Sequence, residues 1–143
     1  MKAVFKLIPY GGQQWKEAVQ LRENILRKPL GNHFSKSELE EEKEHLQIGG
    51  FLHGVLISSA VLVPLGDEMK MQRVVVREDL RNKRIGTKMM RFCEDLASQK
   101  NFRTIFCHAR DSAVRFYLKN DYHEIGDYFD EDGIPHLKMS KDL

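Results

Sequence analysis

A cationic segment that joins a valine-rich run to a helical pattern could bind an anion. It starts at Val74-Val75-Val76 and continues from Arg77 to Thr87. The N–H groups that open a helix lack partners within it, and with the helix dipole they attract negative charge. Gly86 would let a ligand approach the backbone closely. The cations around it are Arg77, Arg81, Lys83, Arg84, Lys88 and Arg91. A pyrophosphate group fits this chemistry, and an ordinary helix start with a solvated basic face is the alternative that the residues leave open.

Histidines supply the candidates for proton transfer, because a neutral imidazole can accept a proton near neutral pH. The six are His33, His45, His53, His108, His123 and His136. The first three and His123 are predicted to lie at the surface. His108 begins the exit from a strand, and His136 follows Pro135 in the last strand.

The two cysteines, Cys93 and Cys107, fit neither a disulfide framework nor a metal cluster. Cys93 falls in a helical pattern and Cys107 in a strand pattern, so both are predicted to be reduced, buried thiols. Neighbouring strand residues point to opposite faces, which separates Cys107 from His108.

Length and charge restrict the class of protein. A chain of 143 residues favours one domain over residues 1–143, and a net charge of +2 argues against a general nucleic-acid binder. Apolar runs such as 60–63 are too short to span a membrane, and the first residues do not resemble a signal peptide. We therefore expect a soluble cytoplasmic protein.

The elements that must position these residues follow from periodicity. Helical spacing predicts helices over 13–27, from Ser35 to Leu46, around 85–96 and over 111–119. Strands are predicted over 2–8, 47–52, 55–63, 70–77, 103–108, 122–128 and 134–139. The glutamate-rich second helix is predicted to present a solvated face. This order predicts an α/β fold with a mixed, mostly antiparallel sheet and helices on both faces.

Four segments together resemble the GCN5-related N-acetyltransferase (GNAT) family. Arg81-Asn82-Lys83-Arg84-Ile85-Gly86 is similar to its Arg/Gln-x-x-Gly-x-Gly/Ala loop, with Arg84 in place of the first glycine. The segment from Ala113 to Tyr122 is similar to the family's Phe-Tyr helix. The ending Glu131-Asp132-Gly133-Ile134-Pro135-His136 resembles ElaA-type members, and Cys107-His108-Ala109-Arg110 resembles glyphosate N-acetyltransferase and its relatives.

The resemblance implies the acyl-CoA N-acyltransferase fold and an acetyl-CoA-dependent transfer to an amine, without a metal. The parallel strands 70–77 and 103–108 would splay apart. The pantetheine arm would bind the backbone around Val74, Val75 and Val76. The diphosphate would bind the loop residues Arg81, Asn82, Lys83, Arg84, Ile85, Gly86 and Thr87.

The resemblance also assigns the proton transfers. His136 would be the base that deprotonates the amine, with a structural or substrate-binding role as the alternative. Tyr117 would lie beside the cofactor sulfur and protonate the leaving thiolate, or else would simply pack beside Phe116. Because no enzyme nucleophile is needed, we expect direct transfer in a ternary complex.

Arginines in matching positions indicate a small amine with an acidic group as the acceptor. Arg27, Arg73 and Arg110 resemble the substrate-facing arginines of the glyphosate acetyltransferase type, and Arg22 adds another on the first helix. The alternative is that they pair with the glutamates of residues 38–44. Those glutamates also leave a polyamine or aminoglycoside acceptor open.

Two other functions remain as alternatives. One is an acyl-CoA-binding sensor without catalysis, and the other is a nucleic-acid-binding module that uses the basic patch 77–91. The preferred interpretation involves no nucleic acid and no membrane, and the resemblance allows a homodimer.

Overall fold

The computed structural model describes residues 2–143 and arranges them as seven strands and four α-helices. The strands are β1 (Val4–Leu7), β2 (Leu46–Leu52), β3 (Val55–Leu65), β4 (Glu68–Val76), β5 (Thr104–Arg110), β6 (His123–Glu131) and β7 (Ile134–Asp142). The helices are α1 (Gln13–Arg22), α2 (Lys36–Glu41), α3 (Ile85–Gln99) and α4 (Val114–Lys119). The order of elements is the one predicted from periodicity.

The strands form one sheet in the order β1-β2-β3-β4-β5-β7-β6. Within the described residues, β4 and β5 are parallel and the other neighbouring pairs are antiparallel. The prediction of a mixed, mostly antiparallel sheet is therefore confirmed.

The parallel strands β4 and β5 separate soon after they meet. They pair from Glu68 with Thr104 to Lys70 with Phe106. Beyond that point β4 continues along β3, while β5 continues along β7 to Arg110. A gap, which we call the β4–β5 gap, opens toward the ends of both strands. The predicted splay is thus present.

A β-bulge bends β4 where the gap opens. On β3, Ser59 pairs with Val75 but Val61 pairs with Gln72, so β4 carries an extra residue at this point. Arg73 within the bulge has a left-handed φ of 53°. Bulges bend a strand and re-aim its side chains, and this one directs β4 away from β5.

Helices cover both faces of the sheet, as predicted. The main core packs α3 and α4 against one face through residues such as Met89, Tyr117 and Cys107. On the other face, Ala18 of α1 packs with Ile8 and Phe51. The burial of these apolar side chains provides the main driving force for the fold. Both cysteines are free and buried.

The first helix differs from its prediction at its end. The segment predicted as a helix over 13–27 is α-helical to Arg22 and then widens into a π-type turn over Glu23–Arg27, followed by a 3₁₀ turn over Lys28–Leu30. Such wide turns are rare and occur often at functional sites. None of the helices in residues 2–143 has the length and apolar character needed to cross a bilayer.

Candidate active site

The loop between β4 and α3 presents backbone amides at the start of a helix. A 3₁₀ turn over Glu78–Leu80 leads into Asn82 and Arg84, whose φ angles of 65° and 63° are left-handed. The N–H of Lys88 donates to the carbonyl of Arg84 at 3.0 Å, which closes the first helical turn. The preceding N–H groups of that turn lie before this first bond, so they are available to an anion.

Gly86 allows α3 to pack closely against its neighbours. A Cβ at this position would lie 3.3 Å from the ring of Phe116 and 3.7 Å from Val76. The sequence predicts that Gly86 admits a ligand to the backbone. The structure adds this packing role, which no local pattern indicates.

The basic residues of the loop differ in their surroundings. Arg77 pairs with Asp79 at 2.7 Å, and this contact lowers the pKa of the Asp79 carboxyl. Arg81, Lys83 and Arg84 are exposed. The loop therefore presents both backbone amides and exposed positive charge, a combination that suits an anion.

The β4–β5 gap leaves one edge of β4 without a strand partner. That edge includes Val74, Val75 and Val76, which pair with β3 on the other side or lie beside the bulge. Free strand edges bind extended ligands through main-chain hydrogen bonds. The geometry therefore suits a pantetheine arm in the gap.

His136 has a defined orientation on β7. Its side chain is buried, and its Nδ1 lies 2.8 Å from the carbonyl oxygen of Ile134. Because a carbonyl only accepts hydrogen bonds, Nδ1 carries the hydrogen in this contact. The other nitrogen, Nε2, is therefore the atom that can accept a proton, and it lies 3.5 Å from Oε2 of Glu131.

His108 and Phe129 lie next to Glu131 and His136 and complete this site. Glu131 also contacts Nδ1 of His108, at 3.2 Å from its Oε1. The ring of Phe129 lies 5.0 Å from that of His108 and 6.1 Å from that of His136. Burial, helped by the charge of Lys70, lowers the pKa of His108. Sequence reasoning missed Glu131 and His108 as partners of His136, and only the strand register could have indicated them.

Arg110 lies beside His136 and connects β5 to the π-type turn. The two residues are register partners on β5 and β7, so their side chains share a face of the sheet. The guanidinium of Arg110 donates to the carbonyl of Leu26 at 3.1 Å. Arg110 thereby ties the site of His136 to the backbone next to Arg27.

Three arginines converge on one buried phenylalanine, in what we call the Phe34 cluster. The guanidinium carbons of Arg22, Arg27 and Arg73 lie 5.4, 4.1 and 4.9 Å from the centroid of the Phe34 ring. Aromatic faces attract cations at these distances. The sequence singled out the three arginines but not Phe34, which has no local signal.

Glu42 neutralises part of the cluster from a fully buried position. It accepts two hydrogen bonds from Arg22, at 2.8 and 3.0 Å, and one from Nε1 of Trp15 at 3.2 Å. Arg73 also pairs with it. The prediction that the glutamate-rich segment is a solvated face is therefore wrong for Glu42, because its carboxylate balances buried guanidiniums.

Glu38 forms the second ion pair of the cluster. Its carboxylate accepts from Arg27 at 2.7 and 3.0 Å, and Arg73 lies 3.8 Å away. The hydrogen bond from Arg27 lowers the pKa of Glu38 from 4.5 to about 2. Arg22, Arg27 and Arg73 thus pair with glutamates, which is the alternative that the sequence left open.

Tyr117 is buried on the opposite face of the sheet. Its ring lies 5.2 Å from Phe116 and 5.4 Å from Tyr122, and it joins the core that contains Cys107. Burial and the Cys107 thiol raise the pKa of Tyr117, so its hydroxyl stays protonated at neutral pH. Because His108 follows Cys107 on β5, Tyr117 lies on the face of the sheet opposite to that of His108 and His136.

No group of three or more His, Cys, Asp or Glu side chains in residues 2–143 is arranged to hold a metal ion. A surface depression of about 790 Å³, lined by Asp67, Phe102 and Thr104 among others, lies at the start of β5, away from the open end of the gap. The arrangement of amides, imidazole and guanidiniums therefore marks the gap, not this depression, as the candidate active site.

A mixed sheet that splays at its parallel pair, next to an amide-lined helix start, defines the acyl-CoA N-acyltransferase fold. Comparison with known families agrees, since the acetyltransferase (GNAT) domain matches residues 21–143. The chain belongs to the GNAT family and is an N-acetyltransferase.

Individual relatives cover almost the entire chain. The uncharacterized N-acetyltransferase YjcF of Bacillus subtilis is 30% identical over 146 residues, which cover 99% of this chain and 100% of YjcF. The crystal structure of Escherichia coli ElaA superposes with a TM-score of 0.81 at 17% identity and covers 98% of this chain and 99% of ElaA. A GNAT acetyltransferase from Elizabethkingia anophelis, solved with acetyl-CoA bound, has a TM-score of 0.73 at 14% identity, with coverages of 99% and 98%.

Proposed function

We propose that this N-acetyltransferase moves the acetyl group of acetyl-CoA directly to the primary or secondary amine of a small acidic acceptor. The observation that carries the proposal is the β4–β5 gap. The protonated phenol of Tyr117 lies on one face of the sheet around it, and the oriented imidazole of His136 lies on the other face. Two reactants bound on opposite faces can meet in such a gap.

The cofactor side consists of backbone. The free edge at Val74, Val75 and Val76 would bind the pantetheine arm, and the amides from Arg81 to Thr87 would bind the diphosphate. The acetyl-CoA bound to the E. anophelis enzyme of the same fold supports acetyl-CoA as the co-substrate. Acetyl-CoA supplies an acetyl thioester, whose carbonyl carbon is open to attack by an amine.

Two side chains would carry out the proton transfers. Nε2 of His136 would take a proton from the acceptor amine, since Nδ1 is held by the carbonyl of Ile134. The amine nitrogen then bonds to the acetyl carbon while the carbon–sulfur bond breaks. The hydroxyl of Tyr117 would donate its proton to the leaving thiolate. Positioning of the two reactants provides much of the acceleration.

Arg27, Arg73 and Arg110 would bind the acidic group of the acceptor. Arg110 lies in register with His136, and it bonds to the backbone beside Arg27. Guanidiniums bind carboxylates and phosphonates through two parallel hydrogen bonds. An acceptor held in this way presents its amine on the face of the sheet where Nε2 lies.

The test is a panel of amines incubated with acetyl-CoA, with release of free thiol as the readout. We expect release with acidic amines such as 2-aminoethylphosphonate and weaker release with ethylamine. Binding of acetyl-CoA without release for any amine would favour an acyl-CoA sensor instead. Salt-dependent binding of an oligonucleotide to the patch 77–91 would favour the nucleic-acid alternative.

A further inference from the structure

We propose that Glu38 is an internal competitor that determines acceptor specificity. In the free enzyme its carboxylate occupies the fork of Arg27, and an acidic acceptor must displace it to bind there. This inference rests on the proposed function, because it assigns the acceptor's acidic group to Arg27. It makes Glu38 a specificity-determining residue that touches the acceptor site without reacting.

The two carboxylates of the Phe34 cluster differ in their freedom to move. The Glu42 side chain is 0% exposed and accepts from Arg22 and Trp15 as well as pairing with Arg73. The Glu38 side chain is 31% exposed, and its partner Arg27 is 18% exposed. Glu38 can therefore rotate into solvent, whereas Glu42 cannot leave without uncovering buried guanidiniums.

Other contacts already hold the guanidinium of Arg27 in an orientation that suits an anion in place of Glu38. Its guanidinium lies 4.1 Å from the centroid of the Phe34 ring, and one nitrogen also donates to the carbonyl of His33 at 3.3 Å. These contacts hold the plane of the guanidinium when the carboxylate departs. Both nitrogens that now contact Glu38 would then face a carboxylate or phosphonate.

The ion pairing of the cluster favours an incoming anion. Three guanidiniums of the cluster pair with two carboxylates, and a third carboxylate, that of Glu23, accepts from the N–H of Phe34 at 3.1 Å. Release of Glu38 leaves the guanidinium of Arg27 without its directly paired carboxylate. An acceptor without an acidic group forms no ion pair with Arg27 when Glu38 leaves. Competition between Glu38 and the acceptor for Arg27 therefore discriminates between acidic and neutral acceptors.

Displacement of Glu38 also affects the start of α2. Its Oε1 accepts from the N–H of Ser35 at 3.0 Å, while its own N–H donates to the Ser35 hydroxyl at 3.2 Å, which forms a capping box. Departure of the carboxylate removes half of that box. Binding of the acidic group is thereby coupled to the first turn of a six-residue helix.

The test compares E38Q with E40Q and with the parent enzyme. Glutamine at this position keeps the capping box but removes the charge that holds Arg27. Glu40 is exposed on the same helix, so E40Q makes the same change in net charge outside the cluster. The probe is methylphosphonate, which carries an acidic group but no amine. Its affinity is measured by calorimetry, with the emission of the only tryptophan, Trp15, as a second signal.

We expect methylphosphonate to bind E38Q about fivefold more tightly than the parent, a factor that matches the loss of one partly exposed ion pair. E40Q should bind it like the parent, and R27A introduced into E38Q should abolish the gain. Equal or weaker binding by E38Q overturns the proposal. So does the absence of binding to either protein, because Arg27 would then not be an anion site.

Kinetics separate this inference from the proposed function. With 2-aminoethylphosphonate, E38Q should lower KM by a similar factor and leave kcat unchanged, while KM for ethylamine stays the same. If no amine releases thiol from any variant, the proposed function fails. The methylphosphonate titration still decides whether Glu38 competes for Arg27.

Discussion

At the scale of single residues, the orientation of His136 bears most directly on the proposed proton transfer. The carbonyl of Ile134, 2.8 Å from Nδ1, places a hydrogen on that nitrogen, so the lone pair of the neutral imidazole lies on Nε2. Glu131 lies next to that nitrogen and also holds His108. A main-chain acceptor thus performs the orienting role that a carboxylate performs in other histidine sites.

Replacement of this imidazole should separate catalysis from cofactor binding. We expect H136A to lower kcat by about 10²- to 10⁴-fold, the usual contribution of a general base. The affinity for acetyl-CoA should stay near that of the parent. Thiol release and calorimetry measure the two quantities. The exposed His123 provides the control variant H123A, and a kcat for H136A equal to that of H123A would exclude the base role.

Arg110 should contribute to acceptor binding. We expect R110A to raise KM for 2-aminoethylphosphonate about tenfold or more, the effect of losing a hydrogen bond to a charged group. KM for acetyl-CoA should not change. R110K keeps the charge but not the planar fork, so it should fall between the parent and R110A. An unchanged KM for the acidic amine in R110A would remove Arg110 from the acceptor site.

At the scale of elements, the start of α3 provides the amides of the proposed cofactor site. Gly86 lies in the first turn of α3, whose amides face the loop. The ring of Phe116 packs against it, 3.3 Å from where a Cβ of residue 86 would lie. The loop amides and the helix packing therefore depend on one another.

A methyl group at Gly86 should weaken acetyl-CoA binding more than it changes stability. Alanine favours a helix over glycine by about 1 kcal/mol, which offsets the crowding of Phe116. The same methyl group would displace the first-turn amides, and nothing offsets the resulting loss of affinity for acetyl-CoA. We expect a higher Kd for acetyl-CoA in G86A with a nearly unchanged Tm. S98A, an exposed change on the same helix, should leave both unaltered, and a parental Kd in G86A would contradict the prediction.

The ion pair at the start of α2 should make stability depend on pH. Because Arg27 lowers the pKa of Glu38, this carboxylate stabilises the fold fully above its ordinary pKa of 4.5, and the contribution is lost as pH falls toward about 2. The free energy of unfolding of the parent should therefore fall more steeply across this window than that of E38Q. Urea denaturation at a series of pH values measures both. E40Q should follow the parent, and parallel curves for parent and E38Q would refute the assignment.

At the scale of the whole molecule, the pair Arg22–Glu42 connects α1 and the segment after α2 to the sheet. Arg22 and Trp15 come from α1, Glu42 follows α2, and Arg73 comes from the bulge of β4. Both charges of the central pair are fully buried. One carboxylate thus joins three separate parts of the chain.

Loss of that carboxylate should destabilise the entire protein. We expect E42Q to lower the free energy of unfolding by about 3–5 kcal/mol, because Arg22 would keep a buried charge without its counter-ion. The apolar double variant R22M/E42L should recover part of the loss. Urea denaturation measures each, and E44Q tests the same charge change at an exposed position. A loss in E42Q no larger than that in E44Q would show that the pair is not structural.

The site could be predicted only where local pattern carries the information. The loop 81–87 was found because a strand, a cationic turn and a helix follow one another in the chain. Phe34 was not identified as a partner of the arginines, and the glutamates of residues 38–44 were named only as a group. The ion pairs that single out Glu38 and Glu42 join residues 11 to 31 positions apart. A glutamate among glutamates and lysines has the pattern of a solvated helix, and nothing local shows that Glu42 is buried.

The sequence by itself determined the order of the elements and the loop after β4, because side-chain periodicity and helix-start chemistry depend on neighbouring residues. The tertiary structure decided which side chains meet. Strand register placed Arg110 and Glu131 at His136, and the bulge at Arg73 brought β4 to the Phe34 cluster. Such pairings depend on how distant segments pack, since burial and ion pairing act across space and leave no period in the chain.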